Sequence, residues 1–497
     1  MNLSNDYKNR QIIPRWYPFE YARSMGEING TGTLIKSADT ESLIYKLKEI
    51  EWEASYQLPL AVDFVTTALI LNDFDNEKAK KAATYIISNK KFLSNLAIEA
   101  TETFLRNGKQ LSSLEFDLPA TKNHVHIHNK IAHLKKCVRA YPVNPIPWAD
   151  MAFYYSIINQ IEKAHKCVTT ALNLAHENRF VLRSIARFFL HIKEPDRALY
   201  HLRNAEITWR DPWLLATEIS ISEAFKLKPK TIREAKSIAA SSDSSPRDLT
   251  ELYGALGTLE ANSGETKKAK RMFLSSLEDP NENAFAQAEW IASKIGLNVD
   301  RKFYPEIDAL FEADARLYLR DGDFKKSFDS ALRWLRFQPF SSKPAIHATY
   351  VAGVCQDDHK EAIRVIEEDA NLLLSEDMIL KNNYAFSLAS LNRIIEAEEQ
   401  LSSIKSIDSL PEREQATINA TKGLIQFRKG QSEAGRQLYM KAIDIFKKLN
   451  EQRAIAVATY FLAREEMRVH SDAAAPLMER AQKLALRLGI KELQKSV

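Results

Sequence analysis

Small residues recur through this chain on a spacing close to 35 positions. Ala164, Ala198, Ala235, Ala269, Ser327, Ala362, Ala397, Gly435 and Ala474 are separated by 34, 37, 34, 58, 35, 35, 38 and 39 residues. Around them, apolar residues fall at helical rather than alternating spacing. Turn-forming stretches sit just before several of these positions: Lys193-Glu194-Pro195-Asp196, Asn262-Ser263-Gly264-Glu265, Asp321-Gly322-Asp323 and Lys429-Gly430-Gln431. The pattern predicts pairs of antiparallel helices, each with an apolar face that only the next pair can cover. Small residues let paired backbones approach, and a late proline stops the second helix.

Counting Pro145 as position 1 puts Trp148 at 4, Ala152 at 8, Tyr155 at 11, Ala164 at 20 and Ala171 at 27. Starting again at Arg179 gives Ala186 at 8, Phe189 at 11, Ala198 at 20, Leu202 at 24 and Ala205 at 27. These residues resemble the tetratricopeptide repeat, a helix–turn–helix unit. The unit from Thr250 shows Tyr253, Gly257, Ala269, Phe273 and Pro280, and the unit from Asp308 shows Phe311, Ala315, Tyr318, Ser327 and Pro339. Gly423, Gly435, Tyr439 and Ala442 fit a later one, while Ala474, Met478 and Ala481 match only a second helix. The resemblance implies an all-α, right-handed α-solenoid of stacked antiparallel helix pairs with a helical N-terminal extension.

The expected organisation is an irregular arm over 1–39, helical hairpins or degenerate repeats over 40–143, an array of about four units over 144–280, a helix and connector over 281–307, and about five units with a capping helix over 308–497. The interval 281–307 reads as either an unpaired helix or a bend. The unit around Ala235 lacks a first helix in phase, although Trp213 to Phe225 reads helical. The arm, with Pro14, Trp16, Pro18, Phe19 and a Gly26–Gly32 stretch, has no period. It is expected to pack its aromatics on the array, the alternative being a partner-binding segment.

Composition narrows the chemistry. Glycine is only 14 of 497 residues, which disfavours hairpin-rich β folds and glycine-loop enzymes. The net charge of +4 does not demand nucleic acid. Residues 361–414 carry 5 basic and 12 acidic groups, and 415–497 carry 15 and 8, so neighbouring helices are expected to neutralise one another. Cys137, Cys167 and Cys355 are sparse and lack a Cys-x-x-Cys, which fits reduced thiols in the cytoplasm. The N-terminus has no apolar core of a secretory signal, and the Leu58–Leu71 stretch is too short to span a bilayer.

Phosphate-loop, dinucleotide, nucleophile-elbow and zinc-protease motifs do not occur. His124, His126 and His128 would share one face only on a strand; on the expected helix only His124 and His128 do, so neither a metal nor another cofactor is expected. The repeat resemblance instead implies a non-enzymatic scaffold or adaptor that binds a partner protein in a concave groove lined by first helices. It is open to serving as a regulatory or sensor subunit. The groove slots hold Arg183, Arg187, Arg316, Arg320, His347, Asn382, Phe386, Phe427 and Arg428, with Phe153 at another. Arginines at i, i+4 suit a carboxylate or phosphate. The Lys/Asn/Arg clamp that some relatives use for chaperone carboxylate termini is missing. The alternative is RNA binding by the basic C-terminal repeats, whose aromatics Phe427, Tyr439 and Phe446 fall largely on core slots. Self-association stays open.

Overall fold

The computed structural model describes residues 15–19, 44–45, 47–71, 73–93, 95–105, 124–241, 244–304, 307, 310–374, 377–404 and 407–494. It is helical throughout, with no strand among the described residues. The N-terminal part contributes α1 (Leu58–Ile70), α2 (Glu77–Ser88), α3 (Asn95–Leu105) and α4 (His124–Ala140). Helix pairs follow as α5 (Pro145–Ile157) with α6 (Ile161–Leu174), α7 (Arg179–His191) with α8 (Pro195–Asn204), α9 (Pro212–Ala224) with α10 (Ile232–Ala240), and α11 (Pro246–Asn262) with α12 (Thr266–Ser276). A single helix, α13 (Glu282–Ile295), comes next. The second array comprises α14 (Phe311–Asp321) with α15 (Phe324–Phe337), α16 (Ser342–Tyr350) with α17 (His359–Arg364), α18 (Met378–Ser390) with α19 (Ile394–Ser402), α20 (Glu412–Arg428) with α21 (Ser432–Lys448), and α22 (Gln452–Arg468) with α23 (Ala474–Leu488).

Local chemistry explains where these helices begin. Asn178, Asp211, Ser245, Asn281, Asp323 and Asp377 each accept a hydrogen bond from a first-turn backbone N–H, satisfying donors that have no partner within the helix. Pro145, Pro195, Pro212 and Pro246 occupy first helical positions, where a missing N–H costs nothing. Between paired helices the chain reverses through left-handed residues. Gly430 has φ of 78° and Gly322 of 81°, conformations that a Cβ would oppose.

The small residues stand where the backbones meet. Ala164, Ala198, Ala235, Ala269, Ser327, Ala362 and Ala397 are fully buried. The Ser327 Oγ donates to the Ala315 carbonyl at 2.7 Å, so the small residue of α15 touches the small residue of α14. A close approach joins α20 to α21: a Cβ at Gly435 would lie 2.5 Å from the Phe427 ring and 2.8 Å from the Gly423 carbonyl oxygen.

The 37-residue step to Ala235 has a specific cause. Its first helix is α9, and a longer turn leads into α10. Buried Glu218 holds that turn, accepting from the Lys230 N–H at 3.1 Å and the Thr231 hydroxyl at 2.9 Å while pairing with Arg203. In the longest interval, Gly296 caps α13 in the left-handed conformation. The connector is then tied down by Arg301, which pairs with Asp314 at 2.8 Å and donates to the carbonyls of Tyr304 and Ile307. Helices α16 and α17 each run on into a π turn, Val351–Cys355 and Val365–Asp369.

Two features lie outside simple stacking. Helices α1 to α3 bury a core of their own around Trp52, Phe64, Ala79, Ala83 and Phe104, while α4 packs Ile127 and Ile131 against the first array. At the other end the chain returns to the second array. The Tyr350 hydroxyl donates to Glu492 at 2.8 Å, the Lys491 ammonium donates to the Asp321 carbonyl at 2.9 Å, and Arg464 pairs with Asp357 at 2.9 Å. The run from α14 to the turn after α23 is thereby drawn into a closed ring.

Candidate functional site

The array has two inner surfaces of different character. The first lies along α5, α7, α13 and α14 and is covered by the chain's own residues 15–18, which belong to no helix, and Phe19. The Arg15 guanidinium pairs with Glu282 and, at 2.8 Å, with Glu312, all three side chains being buried. The Trp16 indole stacks on Phe340 at 5.2 Å and meets Phe153 and Phe188 edge-on at 5.5 and 6.3 Å. The Tyr17 ring packs on Phe337 at 4.7 Å, and its hydroxyl donates to Glu282 at 3.0 Å. The Phe19 N–H donates to Asp150 at 2.8 Å while its ring meets Phe180. The rest of the expected arm lies outside the described residues.

The second surface is the hollow of the C-terminal ring, a channel of about 590 Å³. Its lining includes Arg301, Arg316, Arg320, Lys343, Arg413, Arg453 and Lys491 against Glu289, Asp300, Glu451 and Glu492, so cations outnumber carboxylates seven to four. Ile346, Val457, Phe386 and Phe461 supply apolar patches, the two rings meeting edge-to-face at 5.0 Å. The cations are held in place by ion pairs: Arg413 with Glu451 at 3.3 Å, Arg453 with Glu492, and Arg316 with Glu312 at 2.9 Å. Burial and the neighbouring Glu492 hold the Tyr350 hydroxyl well above the usual tyrosine range. Burial, reinforced by Arg316, pushes His347 down to about 3, so it is a neutral ring lying 3.0 Å from the Ser327 hydroxyl.

The groove residues expected from sequence divide between these settings. Arg316, Arg320, His347 and Phe386 come together in the channel. Arg183 does not face a ligand: it makes a bidentate pair with Glu251 at 3.0 and 3.3 Å and lies over the Trp213 ring. Burial alone would raise the Glu251 carboxyl, but Arg183 and the Asn281 and Asn283 amides hold it below the usual range. Arg187 is half-buried beside Tyr17; burial pushes its guanidinium down to about 10, with Arg183 and Arg15 adding to the effect. Arg428 is likewise withdrawn, pairing with Glu465 at 2.8 and 2.9 Å. Phe427 is a core residue, filling the space above Gly435. Asn382 is buried with neither carboxamide atom hydrogen-bonded, one turn before Phe386. Phe153 packs on Trp16.

Sequence reasoning missed Arg301, Lys343, Arg413, Arg453 and Lys491. Arg453 and Phe461 belong to α22, a first helix in which Leu462 occupies the slot where most of the others carry a small residue. His124–Ala140 is one helix, so the alternation needed to align three imidazoles is absent; the side chains of His124 and His126 lie outside the described residues. Cys137, Cys167 and Cys355 form no disulfide, and the last two are buried. Across the acidic and basic segments, Lys429 pairs with Glu398 and Lys448 with Glu412, both at 2.8 Å. No helix among the described residues is long and apolar enough to cross a membrane.

Paired helices with small residues at their contacts, recurring at intervals of mostly 34–39 residues, give an all-α solenoid with a tetratricopeptide-like fold. No family model matches the sequence, and no curated protein matches it. Among solved structures, the chain is similar to human IFIT1 in a dimer with PPP-AAAA, at 15% identity over 76% of this chain and 97% of that one, with a TM-score of 0.35. It is also similar to yeast Tom70, at 13% identity over 76% and 93%, TM-score 0.28. A third is the structure of Naa15/Naa10 bound to HypK-THB, at 13% identity over 94% and 81%, TM-score 0.22.

Proposed function

We propose that this chain is a non-enzymatic cytoplasmic scaffold that holds an extended, acidic segment of a partner protein in the channel of its C-terminal ring. The observation that supports this most directly is the channel lining, where seven cations face four carboxylates beside apolar patches. Guanidinium groups suit carboxylates through paired N–H donors, and fixed ion pairs hold them ready without a large ordering cost. A channel of this size accepts a few side chains, not a folded domain.

The test is capture of partners by the full chain followed by mass spectrometry, with affinity measured at low and moderate salt. Arg320→Glu and Lys343→Glu should weaken binding of the captured protein, more so at low salt, because exposed charge contacts are screened over roughly 8 Å at physiological ionic strength. Single-stranded RNA is the control ligand. Steep salt-dependent RNA binding lost in the same variants, with protein capture intact, replaces this reading with nucleic-acid binding.

A further inference from the structure

The first inner surface has the construction of a binding site, and its occupant is a short stretch of the same chain. We propose that the surface between α7 and α14 is a docking site for an arginine followed by aromatic residues, kept closed in cis by residues 15–19, and that a partner segment of the same chemistry enters by displacing them. This site adjoins the C-terminal channel through Glu312, which also accepts from the channel residue Arg316, but the proposal does not rest on the channel's ligand.

Three observations carry the proposal. The first is charge. Glu282 and Glu312 are both buried, and they converge on one guanidinium. A buried ion pair is poor at adding stability, since desolvation offsets its attraction, but it discriminates strongly between a matching and a non-matching group. The second is the aromatic seat. Phe153, Phe188, His191 and Phe340 surround the Trp16 indole, an anchor-in-pocket arrangement typical of residues that dominate binding energy.

The third is that the segment is not one of the paired helices yet bridges the two arrays. The helix contacts at Ala164, Ala198 and Ser327 are made within the arrays, whereas residues 15–18 belong to no helix and pack against the arrays through buried side chains. They also touch both arrays at once, Phe153 and Phe188 on one side and Phe337 and Phe340 on the other. A docked segment therefore clamps the two arrays together.

An intramolecular segment competes at high effective concentration, so a free peptide enters only once that advantage is removed. The experiment places a protease recognition sequence within residues 26–32 of the full chain and cleaves it after folding. The probe is a fluorescein-labelled peptide of residues 11–22. The expected result is binding to the cleaved chain at least about tenfold tighter than to the uncleaved chain. The same peptide carrying Arg15→Ala should bind the cleaved chain at least about tenfold more weakly, the loss expected for a charge-assisted contact. Uncleaved Arg15→Ala/Trp16→Ala protein should admit the wild-type peptide. Helix content, read by circular dichroism, should be unchanged by cleavage. If the labelled peptide binds neither the cleaved chain nor the double variant, or if removing the fragment unfolds the arrays, residues 15–19 are a permanent part of the core and the proposal falls.

Discussion

Arg15 and Glu312, 297 positions apart in the chain, meet at 2.8 Å in a buried ion pair. The same carboxylate turns its other oxygen to Arg316 at 2.9 Å, and Arg316 lines the C-terminal channel. Glu312 thus stands between the two inner surfaces and divides its charge between them.

Removing that carboxylate leaves two guanidiniums without a shared partner. Glu312→Ala should cost about 3–5 kcal/mol, the range for breaking one side of a buried pair. Arg15→Ala combined with Glu312→Ala should cost less than the sum of the single changes, because the two side chains are in contact. Urea midpoints of the four proteins measure the coupling, and additive costs would show that the pair does not form in solution.

Arg183 gives a contrasting expectation. Arg183→Glu would set a second carboxylate against Glu251 in a dry site, and should cost about 3–5 kcal/mol. Arg320, whose side chain is 60% exposed, should tolerate reversal to Glu within roughly 0.5 kcal/mol. Melting curves of the two variants separate an arginine that holds the array together from one that faces its channel.

Gly435→Ala tests the close backbone contact between α20 and α21. The new methyl would meet Phe427 at 2.5 Å and the Gly423 carbonyl at 2.8 Å, and overpacking of this kind costs about 1–3 kcal/mol. Ala198→Leu and Ala397→Leu, at fully buried positions, should fall in the same range. Unchanged melting in all three would disprove the helix register.

His347 makes stability depend on pH. Its folded value is pushed from 6.5 down to about 3, so between these values the unfolded chain holds the extra proton. Stability from this residue is full above about 6.5 and declines on acidification towards 3, by about 1.4 kcal/mol per pH unit. His347→Gln should remove that part of the acid sensitivity. Parallel pH profiles for the variant and the parent between pH 7 and 4 would refute it.

Much of the fold was legible because the small residues are a direct imprint of backbone approach: Ala198 and Gly435 are small where a larger side chain has no room. The binding surfaces were less legible. A groove slot gives the direction of a side chain, not what lies opposite, and the partner of Arg183 is 68 positions away in sequence. Phe427 left its slot because the bare backbone of Gly435 opens a space that its ring fills. Arg453 escaped notice because Leu462 stands in α22 where most first helices carry their small residue. Residues 15–19 have no period at all, so only the three-dimensional contacts reveal where they lie.

A stack of repeats ordinarily behaves as a one-dimensional chain that frays from its free end. Here Glu492 is bonded to Tyr350 and Lys491 to Asp321, so the last helix pair has no free end from which fraying can start. Opening it requires breaking contacts with units more than a hundred residues earlier. The amides of α22 and α23 should therefore exchange with solvent deuterium as slowly as those of α16 and α18, and the ring should unfold as one cooperative body.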